Sequence, residues 1–170
     1  MIPSNVIYGA DARKAVEEGM TLVGNAVKTT LGPKGRNVLI QPQNAIPILT
    51  KDGVTVARSV NVMGSRAAGA NFLKDAAQKT NQEAGDATTT TTVLAMAMFS
   101  AGRKIVDESN DVNSVELKAG IEYAAQEMVA ILKSHAIPVG MENGLDAVAT
   151  VSANGDAQLG SKIAEALRRV

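Results

Sequence analysis

Val16, Met20, Val23 and Val27 recur at intervals of four, three and four residues, the spacing that lines up one face of an α-helix. The pattern predicts a helix from Asp11 to near Thr30, where Gly32-Pro33 cannot continue it and Gly35 follows. The period then shortens. Asn37-Val38-Leu39-Ile40 and Ile46-Pro47-Ile48-Leu49-Thr50 are β-like runs joined by Gln41-Pro42-Gln43-Asn44-Ala45, so a hairpin is expected, with Pro47 at an edge. Lys51-Asp52-Gly53 reads as a tight turn leading into a short helix from Val54, and residues 61–65 as a weakly patterned connector.

Helical spacing returns with Ala68, Phe72, Ala76 and Thr80 on one face of a second long helix, broken at Gly85-Asp86. A further helix runs through Val93, Leu94, Ala97, Ala101 and Ile105. Asn113 and Glu116 have capping-box spacing ahead of another, whose apolar stripe is Leu117, Ile121, Ala124, Met128 and Ile131. Ile137-Pro138-Val139-Gly140 marks a boundary. Beyond it lie a short helix around Leu145 and Val148, the stretch Thr150-Val151-Ser152-Ala153-Asn154, and a final helix through Leu159, Ile163 and Leu167. The pattern is still helical at Ala166-Leu167-Arg168-Arg169-Val170, which suits a piece of a longer chain; basic residues in a last turn also suit a natural ending.

Composition narrows what such a mainly α protein can be. The 170 residues are 45% hydrophobic, yet two Phe, two Tyr and no Trp leave the core to Ala, Val, Ile, Leu and seven Met. Seventeen basic and seventeen acidic residues cancel, so no net field steers the chain toward nucleic acid or an anionic membrane. The absence of cysteine removes disulfides, thiolate metal sites and thiol nucleophiles together. A single histidine, His135, sits at a predicted helix end, where contact with the negative end of the dipole is its simplest role. Met1-Ile2-Pro3-Ser4 resembles neither a signal nor a transit peptide, and the longest uncharged run is too short and threonine-rich to span a bilayer. A soluble intracellular protein is expected.

The candidate chemistry begins at Gly85-Asp86-Ala87, followed by five threonines, Thr88, Thr89, Thr90, Thr91 and Thr92. Threonine is a mediocre helix former, because its branched β-carbon restricts χ1 and its hydroxyl competes for backbone groups. Five at a helix start weaken that helix but surround its positive end with O–H and N–H donors. Such an end suits a phosphate, and the adjacent carboxylate suits a divalent cation travelling with it. Two other turns offer the same kind of free backbone: Thr30-Leu31-Gly32-Pro33 and Lys51-Asp52-Gly53. Asp52 would orient a water or share a cation, and Asp86 would bind magnesium.

Each has a plain structural alternative. Gly-Pro and Asp-Gly are common turn dipeptides, and Asp86 would serve equally as an N-cap. Gly32-Pro33-Lys34-Gly35-Arg36 lacks the spacing of a P-loop, and no GxGxxG follows a strand. Arg103-Lys104 reads as a solvated basic pair, and Asp107, Glu108 and Asp111 as an exposed loop.

Taken together, Thr30-Leu31-Gly32-Pro33-Lys34-Gly35-Arg36-Asn37-Val38, Thr50-Lys51-Asp52-Gly53-Val54-Thr55-Val56-Ala57-Arg58 and Ala84-Gly85-Asp86-Ala87-Thr88-Thr89-Thr90 resemble the group I, GroEL-like chaperonins, motif by motif and in order. Tyr8-Gly9-Ala10-Asp11-Ala12-Arg13 is similar to that family's opening, and Val151-Ser152-Ala153-Asn154 to its next motif, so the resemblance covers essentially the whole chain. It implies a multihelical equatorial-domain architecture with a small β-hairpin. Residues 1–137 would be the N-terminal half of an ATP-binding equatorial domain, and residues 138–170 the first segment of an intermediate domain. The apical domain and the second equatorial half have no counterpart here.

Carried over residue by residue, the resemblance implies that Thr30, Leu31, Gly32 and Pro33 contact the nucleotide. Lys51, Asp52 and Gly53 would flank the γ-phosphate, with Asp52 the catalytic residue that places the attacking water. Asp86 would coordinate Mg²⁺, with K⁺ a further cation at the site, and Ala87, Thr88, Thr89 and Thr90 would cradle the phosphates. Val151 and Ser152 would reach toward the nucleotide from the intermediate segment, and the hairpin over residues 37–50 would pair with a neighbouring subunit in a ring. Implied partners are other chaperonin subunits, unfolded client proteins and a co-chaperonin, with neither nucleic acid nor membrane; the implied location is the cytoplasm, or an organellar matrix if a leader was removed.

Two departures stand out. Ala87 replaces the family's glycine, and an alanine is expected to make the same turn only if φ is negative there. The connector over residues 61–65 differs and is slightly shorter. The family's other catalytic carboxylate lies on a segment with no counterpart here, so these 170 residues alone are expected to hydrolyse ATP very slowly or not at all. The leading expectation is a subunit of an ATP-driven folding machine. The alternative is a non-catalytic assembly module derived from one. A phosphate-binding domain of a small-molecule kinase is remote, since no kinase loop is present.

Overall fold

A computed structural model describes residues 6–43, 45–109, 111–140, 144–153 and 155–170. Met1-Ile2-Pro3-Ser4, Asn44 of the hairpin connector and Asn154 of the last motif lie outside the described residues. The elements in order are α1 (Gly9–Lys28), β1 (Val38–Ile40), β2 (Ile48–Thr50), α2 (Gly53–Ser59), a 3₁₀ turn (Gly64–Arg66), α3 (Ala67–Ala84), α4 (Thr88–Glu108), α5 (Ser114–His135), α6 (Leu145–Ser152) and α7 (Ala157–Arg168). This is the expected mainly α fold with one small hairpin. Two compact units divide it, Met1–Leu117 and Lys118–Val170.

In the first unit α1, α3 and α4 pack on one another and α2 packs on all three. Met20, Val23, Val27, Val56, Ala57, Ala70 and Leu73 form the buried core, with Met96 and Phe99 against it. The apolar repeat of α1 is thus its buried face. Its approach to α3 is unusually close: a methyl on Gly19 would overlap the carbonyl of Arg66, and one on Gly69 the carbonyl of Val16. Glycine at both positions lets the two backbones meet with no side chain between them.

That close approach selects a different face of α3 from the expected one. Gly69, Ala70, Leu73 and Ala77 are buried, whereas Ala68 and Phe72 are exposed and Ala76 and Thr80 half-buried. The row of smallest side chains wins over the row containing the largest, because the former admits α1. On α4, Ala95, Met96 and Phe99 face the core, while Leu94, Ala97, Ala101 and Ile105 are exposed.

β1 and β2 pair antiparallel with Leu39 opposite Leu49. Val38 and Ile40 turn toward the core, and both leucines point outward, exposed.

The charges of α4 depart furthest from expectation. Asp107 and Glu108 belong to the helix rather than to a loop, and Arg103 is not a solvated cation. Arg103 Nε lies 2.7 Å from Glu17 Oε2, off the N–H axis, so the contact is ionic and not a formed hydrogen bond. Arg103 Nη1 donates to Asp107 Oδ2 at 3.0 Å, and Arg13 Nε donates to Asp107 Oδ1 at 2.9 Å.

α5 opens with Asn113 Oδ1 accepting from Val115 N at 2.9 Å. At its other end His135 Nδ1 lies 2.9 Å from the carbonyl of Ile131, the helix-end contact its position implies. No described residue of α5 is buried. Leu117 and Ile121 are half-covered; Ala124, Met128 and Ile131 are exposed. In the second unit α6 and α7 pack together and bury Ala149, Gly160 and Ala164. Of the apolar repeat of α7, Leu159 and Leu167 are exposed and Ile163 is half-buried. Asp156 caps α7, its Oδ1 accepting from Gln158 N and Leu159 N at 3.0 Å. Among the described residues no helix is long and apolar enough to cross a membrane.

Candidate functional site

The first unit brings three of the singled-out turns together at one end of its helices. Thr30 follows α1, buried, and its hydroxyl donates to the carbonyl of Val27 at 2.8 Å. That hydroxyl has one proton, so in its 3.1 Å contact with Thr89 Oγ1 the donor is Thr89 and the acceptor Thr30. Gly53, the first residue of α2, is buried against the start of α4: a Cβ there would lie 3.0 Å from Thr88 Oγ1 and 3.1 Å from Thr89 N, and closer still to Thr89 Oγ1. Only glycine fits. Thr88 is buried, Thr89 half-buried and Thr90 exposed.

The turn after Thr30 is tied back on itself by Gly35 N donating to Gly32 O at 2.9 Å and Arg36 N donating to Thr29 O at 2.8 Å. Gly32 takes φ 71, a left-handed value that glycine adopts freely. Leu31, Gly32 and Pro33 therefore form an exposed rim beside the threonine pair.

Asp52 is the N-cap of α2. Its Oδ2 accepts from Thr55 N at 2.9 Å and from the Thr55 hydroxyl, and Oδ1 accepts from Val54 N at 3.4 Å. Two carboxylate oxygens offer about four acceptor positions, so Oδ1 retains capacity for a further donor such as water. The cap fixes the orientation of that oxygen. Lys51 beside it is exposed.

Gly85 ends α3 at φ 71, and Ala87 begins α4 at φ 64, so the helices are joined by two left-handed residues around Asp86. Ala87, and not Asp86, occupies the N-cap position, and no side chain caps the helix. Asp86 Oδ1 instead accepts from Ala87 N at 2.6 Å, holding the exposed carboxylate beside the helix start. The first intrahelical bond runs from Thr91 N to Ala87 O at 2.9 Å. The amides of Thr88, Thr89 and Thr90 are thus without a helical partner, as the first turn of an uncapped helix requires. Behind them Thr91 accepts from Thr80 Oγ1 at 3.1 Å, and Thr92, fully buried, donates to Thr88 O at 2.8 Å.

The donor set fits a magnesium–triphosphate chemically. Amides and hydroxyls at a helix N-terminus suit phosphate oxygens, and Mg²⁺ typically takes one or two carboxylates and completes its shell from phosphate and water. No cluster of three or more acidic or histidine side chains is present among the described residues, and such a cation needs none. Val151 and Ser152 lie in the last turn of α6, in the second unit, both exposed.

The chain matches the TCP-1/cpn60 chaperonin family over residues 23–170. Among solved structures it is similar to a chaperonin of the bacteriophage EL 2 (Pseudomonas aeruginosa), crystallised in the presence of ATP-BeFx. That likeness has a TM-score of 0.79 and 30% identity over 96% of this chain and 28% of that one. It is also similar to a group III chaperonin in the open state, with a TM-score of 0.75 and 25% identity over 91% of this chain and 31% of the other. The chain therefore spans under a third of the length of either structure it resembles. The family match covers most of the sequence, including Thr30, Asp52, Gly53 and the threonine-led helix, and on that ground this chain belongs to the TCP-1/cpn60 chaperonin family.

Proposed function

We propose that this chain is the nucleotide-binding part of an ATP-driven chaperonin subunit. Residues 1–137 would be the first half of an equatorial domain and residues 138–170 the opening of an intermediate domain. The observation that carries the reading is the convergence of Thr30 and Gly53 on the uncapped N-terminus of α4. Thr88, Thr89 and Thr90 would hold phosphate oxygens through amides and hydroxyls. Asp86 would hold Mg²⁺, which neutralises phosphate charge when bound. Leu31, Gly32 and Pro33 would line the nucleotide's flank, Lys51 would offer a charge to the terminal phosphate, and Asp52 Oδ1 would accept from an attacking water. The outward Leu39–Leu49 pair would meet a neighbouring subunit in a ring, and folding of client proteins would belong to the assembled machine.

The experiment is a calorimetric titration with ATP, with and without Mg²⁺, on the chain and on Asp86→Ala. Binding that requires Mg²⁺ and weakens at least about tenfold in the variant is expected, since a lost charge-assisted contact is worth on the order of 1.5–3 kcal/mol. Binding indifferent to both Mg²⁺ and Asp86 would remove the metal assignment. No binding at all would favour the second reading, a chaperonin-derived assembly module.

A further inference from the structure

α1 and α4 run antiparallel along one seam that begins in charge and ends at the threonine pair. Arg13 meets Asp107, with Nη2 2.7 Å from Oδ1. One turn further, Arg103 meets Glu17 at 2.7 Å and also reaches Asp107 at 3.0 Å. In the middle, Gly24 faces Met96 so closely that a methyl on Gly24 would overlap the sulfur. At the far end Thr89 donates to Thr30 over 3.1 Å. Each step forward along α1 is matched by the same step back along α4, to within one residue.

The four charges are linked as a chain: Asp107 bridges both arginines and Arg103 bridges both carboxylates. Their side chains are between 22% and 39% exposed, so each pair alone contributes little to stability. What they supply is direction. The apolar stretch between, Val23, Val27 and Met96 seated against Gly24, already favours this register sterically, but methionine adapts to its surroundings, and the directional ion pairs add to that preference. A slip of one turn would move Thr89 by about 5.4 Å along α1. The charged end lies roughly 25 Å from the threonines, counted along the helix at about 1.5 Å per residue. It can act on them only through the rigidity of the two helices.

We propose that Arg13, Glu17, Arg103 and Asp107 are positioning residues for the nucleotide site, setting the α1–α4 register that places Thr89 against Thr30. The inference rests on the proposed reading of the threonine end as a nucleotide site, and its test separates the two. The chain has no cysteine, so a Thr30→Cys/Thr89→Cys variant reports the register by disulfide formation without any nucleotide. Arg103→Met, which keeps much of the alkyl stem, is expected to slow that cross-link about threefold or more and to raise the Kd for Mg-ATP in the cysteine-free chain by a similar factor, the size of coupling such networks carry. Inverting all four charges together (Arg13→Asp, Glu17→Arg, Arg103→Glu, Asp107→Arg) restores every pairing and is expected to restore both readouts. Circular dichroism confirms that each variant is folded.

An unchanged cross-linking rate in Arg103→Met overturns the proposal. So does a slowed rate that the full inversion fails to recover, since that is the mark of general destabilisation. If the cross-link responds as expected while the parent chain binds no Mg-ATP, the register assignment stands and the nucleotide reading falls.

Discussion

Ala87 is the one non-glycine at positive φ among the described residues, at φ 64 and ψ 17. For an L-residue this conformation brings Cβ against the following carbonyl at a cost of about 1–2 kcal/mol. Alanine therefore makes the turn, and its cost is strain; the amides of Thr88, Thr89 and Thr90 are presented as they stand. Glycine would remove the strain but add about 0.4–1 kcal/mol of backbone entropy to the unfolded chain. The balance favours glycine by up to about 1.6 kcal/mol. Ala87→Gly is accordingly expected to raise the urea midpoint while leaving nucleotide affinity within about twofold, because φ does not change. A lower midpoint would mean that the turn is not left-handed in solution.

At the scale of elements, what the sequence disclosed depended on how local the cause was. The repeat in α1, the turns at Gly32-Pro33 and Asp52-Gly53, and the helix break at Gly85 each follow from a few adjacent residues, and all are present. The buried faces of α3 and α4 are not set by local pattern, because their rows of alanine are equally apolar and only the approach of α1 chooses between them. The Arg13–Asp107 pair spans 94 positions, beyond any local pattern, although opposite charges four apart on both helices were a visible sign. The choice of face makes Gly69 critical. Gly69→Ala gains about 1 kcal/mol of helix propensity, yet its methyl meets a backbone carbonyl that no rotamer change can move. Overpacking costs about 1–3 kcal/mol, so net destabilisation of up to about 2 kcal/mol in urea unfolding is expected, and a stabilised variant would refute the close α1–α3 contact. In the second unit, Asp146 is held below its ordinary value of 3.8, chiefly by the hydrogen bond from Arg168, with the opposing burial effect second. A depressed carboxylate stabilises the fold above its unfolded pKa, and that contribution is lost as pH falls through the folded value. The titration of the Asp146 carboxyl, followed by NMR, is expected to shift upward in Arg168→Met. No movement would exclude the pairing in solution.

On the scale of the whole molecule, the unbalanced feature is α5. A helix of this length ordinarily buries a stripe, and most helical stability comes from that burial. Here Tyr123, Met128, Val129, Ile131 and Leu132 are all exposed, Leu132 at 64%. Exposed apolar surface on this scale favours association in water. Charge does not oppose it, since the formal net charge is zero at pH 7 and repulsion between copies is correspondingly weak. The 170-residue polypeptide is therefore expected to self-associate, its weight-average sedimentation coefficient rising with concentration. Met128→Lys/Leu132→Lys should abolish the rise by placing like charges on the patch, with the first unit unaffected as judged by the Thr30–Thr89 end of the fold. Added salt distinguishes the driving force: association through apolar surface should persist or strengthen in sulfate, whereas association through opposed charges would weaken. A monomer that holds at high concentration, in both low and high salt, would show that α5 is covered in solution.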